Sequence, residues 1–175
     1  MKRPTDRIGD ESGDLVVTLS LPPADVWPNA RPHRMALARA RRRQRIDAQY
    51  AGLAALQAAE RSATGGSAWK AAPPPWPSGY YQARWYFDRP ARRDPDNRAA
   101  ALKSSIDGLV DAGIFSDDQH LVPLPSRTET CRSHRPRVEL HLWRQDPTTL
   151  PEHREEKTDR QGAKNAKGKT EGPTQ

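Results

Sequence analysis

Four aspartates lie at the two ends of one short predicted helix, and they offer the clearest chemistry in the sequence. Asp94 and Asp96 flank a proline in the segment RRDPDN, and Asp117 and Asp118 follow the helix in GIFSDDQ. Residues two apart in an extended segment project to the same side, so the first pair can reach one point. A plainer interpretation is also open, because Asp96 or Asn97 could cap the helix and paired aspartates are common in turns.

Carboxylates that meet at one point suit a hard, oxygen-seeking cation, Mg²⁺ or its substitute Mn²⁺, rather than zinc. The sequence permits Asp118 to join Asp94 and Asp96, provided that the chain folds back along the helix after Gly113. A strand that begins at Asp118 and pairs beside the strand ending near Asp88 could bring this about. A metal site of this kind in a domain that attracts phosphate indicates phosphodiester hydrolysis.

Lys103 lies seven residues after Asp96, which is close to two helical turns, so both side chains fall on one face of the predicted helix. A lysine in this position could neutralise negative charge on the pentavalent phosphorane or orient water. It could equally be an exposed lysine near Asp107, where a pair of this orientation contributes at most a few tenths of a kcal/mol.

The excess positive charge is confined to the middle of the chain. Residues 1–13 carry three basic and three acidic side chains and residues 145–175 carry six of each, so the net charge of +7 lies between residues 14 and 144. Such a domain suits a polyanion, most simply nucleic acid, although a basic surface kept for solubility has the same charge. The candidates for phosphate contact are Arg39, Arg41, Arg42, Arg43, Arg45, Arg92 and Arg93.

The pattern of apolar residues predicts a single α+β domain over residues 14–144, between a disordered arm at 1–13 and a disordered charged tail at 145–175. Strands are expected at 14–23, 80–90, 120–131 and 135–143, and helices at 34–62 and 96–112, with Gly113 after the second helix. The order β-α-β-α-β-β favours a mixed sheet covered by two helices, with the last two strands paired as a hairpin. Residues 63–80 read as a loop.

Two absences limit the class of protein. No run approaches about 18 apolar residues, and no hydrophobic signal core follows the first three residues, so we expect a soluble protein that is not exported and has no membrane partner. Cys131 is the only cysteine, which excludes an intrachain disulfide and a thiolate metal cluster.

The segment from Asp94 to Val122 combines Asp-x-Asp-Asn, a lysine, Asp-x-Leu, Ala-Gly and Asp-Asp. This combination resembles the signature of the RusA-type Holliday junction resolvases, crossover junction endodeoxyribonucleases often carried by phages and prophages. A weaker likeness extends from Leu15 to Trp143. One departure is the lysine, which follows the second aspartate by seven residues instead of four. The matching residues are Asp94, Asp96, Asn97, Lys103, Asp107, Leu109, Ala112, Gly113, Asp117 and Asp118.

The resemblance implies a cytoplasmic, homodimeric, Mg²⁺-dependent nuclease that binds four-way junctions and cuts two opposed strands, in recombination, repair or phage DNA processing. It implies metal-site roles for Asp94, Asp96 and Asp118 and an assisting role for Lys103, and it leaves the role of Asp117 open. Two rivals remain. One is a basic DNA-binding protein whose aspartates are only caps and turns. The other is a metal-dependent transferase, which the missing glycine-rich phosphate loop makes a poor fit.

Overall fold

The computed structural model describes residues 13–62, 73–90, 94–131 and 135–145. Most of the predicted arm, the tail beyond Gln145 and residues 63–72 of the predicted loop lie outside the described residues. Within them the chain forms an α+β fold with a mixed four-stranded sheet, as predicted. In chain order the elements are β1 (Leu15–Ser20), α1 (Arg34–Ser62), β2 (Gly79–Phe87), α2 (Pro95–Ala101), α3 (Lys103–Asp111), β3 (Leu121–Thr130) and β4 (Arg137–Arg144).

The strands lie in the order β1-β4-β2-β3. β4 is antiparallel to both of its neighbours, and β2 and β3 are parallel through the α2–α3 crossover. The predicted β3–β4 hairpin is therefore wrong. β4 buries Val138, Leu140 and Leu142 on one face and His141 on the other, which suits a central strand. β3 carries Pro123 and Pro125, and proline cannot donate a hydrogen bond to a partner strand, so β3 lies at the edge.

The sheet has one face that packs against the helices. On this face of β2, Ala83, Trp85 and Phe87 are buried in the core that the helices share. Trp85 is fully buried and stacks on Phe87, with 6.0 Å between the ring centroids. The opposite face of β2 carries polar and aromatic side chains instead. This arrangement gives a two-layer domain in which helices cover one side of the sheet.

Helices α1 and α3 run parallel and in close contact. Gln44 of α1 lies beside Ser105, and Gly52, two turns further on, lies beside Ala112 just after α3. The closest approach is at Gly108, where an added Cβ would lie 2.3 Å from the backbone oxygen of Arg45. Within the described residues no helix is long and apolar enough to cross a lipid bilayer.

The predicted helix over residues 96–112 is interrupted at Leu102, which separates α2 from α3. The backbone N–H of Ser105 bonds to the oxygen of Leu102 at 2.8 Å instead of continuing the α-helical ladder. The carbonyl of Ala101 accepts a hydrogen bond from the side chain of Gln44 at 2.7 Å. A buried glutamine on α1 therefore satisfies the backbone acceptor that the interruption exposes. Gly113 ends the second half with a φ of 77°, as the sequence predicts.

Candidate functional site

Asp94 is the N-cap of α2. Its Oδ1 accepts a hydrogen bond from the backbone N–H of Asp96 at 3.0 Å, and Pro95 occupies the first helical position. The sequence had suggested Asp96 or Asn97 as the cap, and the structure assigns that role to the preceding aspartate. Asp96 lies in the first turn with an exposed side chain. The capping role therefore accounts for Asp94 and leaves the presence of Asp96 unexplained.

Asp94 and Asp96 lie at the edge of the sheet where β1 and β2 end. Both strands are antiparallel to β4 and hence parallel to each other, so their carboxyl ends share one edge. In sheets with helical crossovers, this edge is the usual location of ligand sites because the loops and helix starts open a crevice there. The half-buried Asn97 lies beside the two aspartates and adds an amide oxygen to the set.

Asp117 and Asp118 lie at the opposite edge. Leu121 pairs with Gly79 at the start of β2, and the backbone N–H of Gly79 bonds to the oxygen of His120. β2 spans eight residue steps, about 26 Å at about 3.3 Å each, and separates this turn from the end of the strand. β3 does pair beside β2 as the sequence permitted, but in the parallel direction, so the second aspartate pair does not come back to the first.

Among residues 13–62, 73–90, 94–131 and 135–145, no three acidic, histidine or cysteine side chains converge to hold a metal ion. Asp117 has a turn role of its own, since its Oδ1 accepts from the backbone N–H of Gln119 at 3.0 Å. This hydrogen bond, with those from Asp118, lowers the pKa of the Asp117 carboxyl. Asp118 is exposed. A single chain therefore leaves Asp118 apart from the other two predicted ligands, Asp94 and Asp96.

Lys103 is the first residue of α3 and is exposed. The helix begins at Pro95, and Leu102 at the interruption keeps right-handed helical dihedrals of φ −89° and ψ −9°. The seven-residue interval after Asp96 is thus almost entirely helical, which places Lys103 about 10 Å further along the axis on nearly the same face. The long lysine side chain extends the reach of its charge toward the aspartates. Its predicted role in the chemistry stays a prediction.

The arginines of α1 follow the point where this helix meets α2. Ala40 packs with Ala101, the last residue of α2, about 10 Å along the helix axis from Asp94. Arg41 and Arg42 are exposed there, while Arg39 donates to the backbone of its own helix. The phosphate contacts predicted for these side chains stay predictions. Arg92 and Arg93 lie outside the described residues.

Two of the predicted phosphate-binding arginines have acidic partners. Arg45 makes a bidentate pair with Asp111 at the end of α3, with distances of 2.5 and 2.7 Å. This contact lowers the pKa of Asp111 and raises that of Arg45. Arg43 lies 3.7 Å from Asp47 on an exposed surface. Arg45 thus fastens two helices, a role that the sequence alone did not indicate.

A groove of about 810 Å³ opens next to Asp94. The segment that follows β1 forms one wall, and the start of α2 forms the other. The described residues that line it are Leu21, Pro22, Trp27, Pro28, Asn29, Asp94, Pro95 and Asn97. The sequence analysis did not single out Trp27 or Asn29. The signal available for them was WPNA, because proline followed by asparagine is typical of a turn.

A buried arginine anchors the start of α2 to the sheet. Arg98 is 7% exposed, and its guanidinium donates to the hydroxyl of Thr128 on β3. A long cationic side chain is seldom buried without partners, so this contact fixes the orientation of the helix that carries the aspartates. The sequence analysis missed Arg98, since a single arginine within an alanine-rich turn gives no signal of burial.

The face of the sheet away from the helices is polar and charged. Arg137 donates to Glu139 at 2.8 Å and lies 4.0 Å above the ring centroid of Tyr86. His141, only 4% exposed, has its Nε2 3.6 Å from Glu139. Burial and the nearby Arg84 lower the pKa of His141.

No protein-family model matches the chain. No curated protein matches it significantly either. The likeness to junction resolvases therefore depends on the motif residues themselves, and the fold and geometry described above are independent of it.

Proposed function

We propose that the protein is a Mg²⁺-dependent endonuclease that cuts branched DNA such as four-way junctions. The observation that carries the proposal is the position of Asp94 and Asp96. Both lie at the carboxyl edge of β1 and β2, where Asp94 lines a groove. Carboxylates on a chain with a net charge of +7 suit a substrate that is itself negatively charged, provided that a cation lies between them.

The residues at this edge fit a magnesium ion. Mg²⁺ is usually held by one or two carboxylates together with substrate phosphates, and it keeps several waters. Asp96 and the Oδ2 of Asp94 supply such carboxylate oxygens, and Asn97 adds an amide oxygen. When bound, the ion would polarise the scissile phosphate and lower the pKa of the attacking water. Lys103 would stabilise the negative charge that develops on the phosphate.

A homodimer would reconcile the position of Asp118 with a site made of three carboxylates. Within one copy, Asp118 and Asp96 are separated by about the length of β2. A two-fold axis between two copies can bring Asp118 of one copy close to Asp96 of the other. If the axis reverses the strand direction, the start of β2 in one copy lies beside the end of β2 in the other. Asp118 of a second copy would then complete the carboxylate set at Asp94 and Asp96. Two such sites would cut two opposed strands.

A second candidate is a DNA-binding protein without catalytic activity. It is favoured by the structural roles of Asp94 as a cap and Asp117 as a turn residue. The basic surface of α1 would then bind DNA through phosphate contacts, with little reading of base sequence. The two candidates differ in one respect, since only the nuclease requires the exposed carboxylate of Asp96.

The deciding experiment is incubation of a synthetic four-way junction with the purified protein, with Mg²⁺ and with EDTA. The nuclease proposal predicts paired nicks that require Mg²⁺ and are lost in Asp96→Asn. Glu60→Gln is the matched control, because Glu60 is an exposed carboxylate at the far end of α1. Junction binding without any nick, in wild type and both variants alike, would favour the second candidate.

A further inference from the structure

The groove beside the aspartates has the lining of a site for a flat ring. Trp27 supplies an aromatic surface, and prolines 22, 28 and 95 supply rigid apolar walls. The polar groups are the Asp94 carboxylate and the amides of Asn29 and Asn97. The described lining residues include no cationic side chain.

The indole of Trp27 is held in place from two sides. Its Nε1 donates to the backbone oxygen of Pro22 at 3.3 Å, and its ring lies 5.7 Å from that of Trp85, tilted by 49°. Since the one polar atom of the indole is already bonded, what the side chain offers to the groove is its apolar ring surface. Trp27 therefore suits stacking better than hydrogen bonding.

Asn29 is positioned by a tight turn. The backbone N–H of Ala30 bonds to the oxygen of Trp27 at 2.9 Å, and Pro28 occupies the second position, where its fixed φ favours a turn. The exposed amide of Asn29 thus lies at the tip, beside the ring of Trp27. Amide and carboxylate groups are the side chains that pair with the edges of nucleobases.

We propose that this groove receives an unpaired nucleobase of the DNA strand whose phosphate lies at Asp94 and Asp96. Trp27 stacks on the base, and the amide of Asn29 faces its polar edge. This inference rests on the proposed function. A branch point is where bases lose their partners, and an unstacked base is the least costly to place in a pocket. The groove would make cleavage depend on the base next to the cut.

The test is a double-mutant cycle, in which one change is made in the protein and one in the junction. Affinity is measured with Ca²⁺ in place of Mg²⁺, so that the junction is bound without being cut. Trp27→Leu is expected to weaken binding roughly tenfold, as for the loss of one stacked base, and Trp27→Phe to weaken it less. An abasic nucleotide is moved through each position near the branch. At the position whose base would occupy the groove, wild type and Trp27→Leu should bind the abasic junction equally well. If the ratio of wild-type to Trp27→Leu affinity is the same at every abasic position, the proposal is overturned.

Asn29→Ala provides a second test that does not disturb the core, because Asn29 is exposed. At the position that the abasic scan identifies, wild type should prefer one base over the others, and Asn29→Ala should lose that preference while Ser116→Ala keeps it. If Asn29→Ala keeps it too, the groove does not read a base. Failure of the wild type to nick with Mg²⁺ would refute the nuclease proposal alone, since the binding cycle needs no cleavage.

Discussion

Asp94 and Asp96 are joined by a hydrogen bond of 3.0 Å in which the carboxylate of the first accepts from the backbone N–H of the second. The bond starts α2, with Pro95 in its first position. It gives the two aspartates different structural importance, because Asp94 caps the helix while Asp96 contributes only through its charge in the first turn. Substitutions at the two positions can therefore separate folding from chemistry.

Asp94→Ala should lower the free energy of unfolding by about 1 kcal/mol, the usual effect of losing an N-cap. Asp94→Asn should leave it nearly unchanged, since asparagine caps equally well, and yet should abolish Mg²⁺-dependent nicking. Urea denaturation and junction cleavage measure the two effects. Nicking by Asp94→Asn at the wild-type rate would show that the carboxylate serves the helix alone.

The exposed arginines of α1 should determine the salt dependence of DNA binding. Arg41→Gln with Arg42→Gln should reduce the slope of log affinity against log salt by about 2, because each lost phosphate contact lowers it by about 0.9. Arg45→Gln is the matched control, since Asp111 already engages that guanidinium. Fluorescence anisotropy across a salt series measures both. An equal change in slope for the double variant and the control would contradict the assignment.

Gly108 should be intolerant of a side chain because α1 crosses directly over it. An added Cβ would lie 2.3 Å from the oxygen of Arg45 and 2.9 Å from the Cβ of Ala48. Gly108→Ala should therefore lower the unfolding free energy by about 1–3 kcal/mol through overpacking. Gly113→Asn, at a position with a φ of 77° and no neighbour within 4 Å, should cost at most about 1 kcal/mol, because asparagine tolerates the left-handed backbone better than other side chains. Chemical denaturation of the two variants tests the contrast, and a neutral Gly108→Ala would refute the close crossing.

His141 should make stability fall in mild acid. Its folded-state pKa lies below the ordinary value of 6.5, so the unfolded chain takes up the proton first. The contribution of neutral His141 to the free energy of unfolding is complete above pH 6.5 and declines as the pH falls below 6.5. His141→Gln should flatten the change in stability between about pH 8 and about pH 5. An unchanged pH dependence in His141→Gln would contradict this role.

The elements of the fold could be predicted largely from local pattern. The pattern of apolar residues correctly indicated the strand β2. It also correctly indicated a helical segment before Gly113. The position of β4 between β1 and β2 could not be obtained in this way, because strand order depends on pairing between distant segments. The prolines of β3 were a usable signal for an edge strand.

The candidate site was predictable in type but not in geometry. The DPDN segment identified the carboxylates and the start of the helix. The separation of Asp118 from them depends on the direction in which β3 pairs with β2, which local sequence does not specify. Arg45 and Arg98 show the same limit, since the partners that fix them, Asp111 and Thr128, are distant in the chain.

The most direct test of the account uses a heterodimer purified through two different affinity tags, one copy carrying Asp96→Asn and the other Asp118→Asn. If Asp118 of one copy completes the site of the other, this heterodimer has one intact site. It should nick one strand of a four-way junction with Mg²⁺, although each variant alone is inactive. A heterodimer of Asp94→Asn and Asp96→Asn, both on the same side of the site, should stay inactive. No nicking by the first heterodimer, together with full activity of Asp118→Asn alone, would contradict the account.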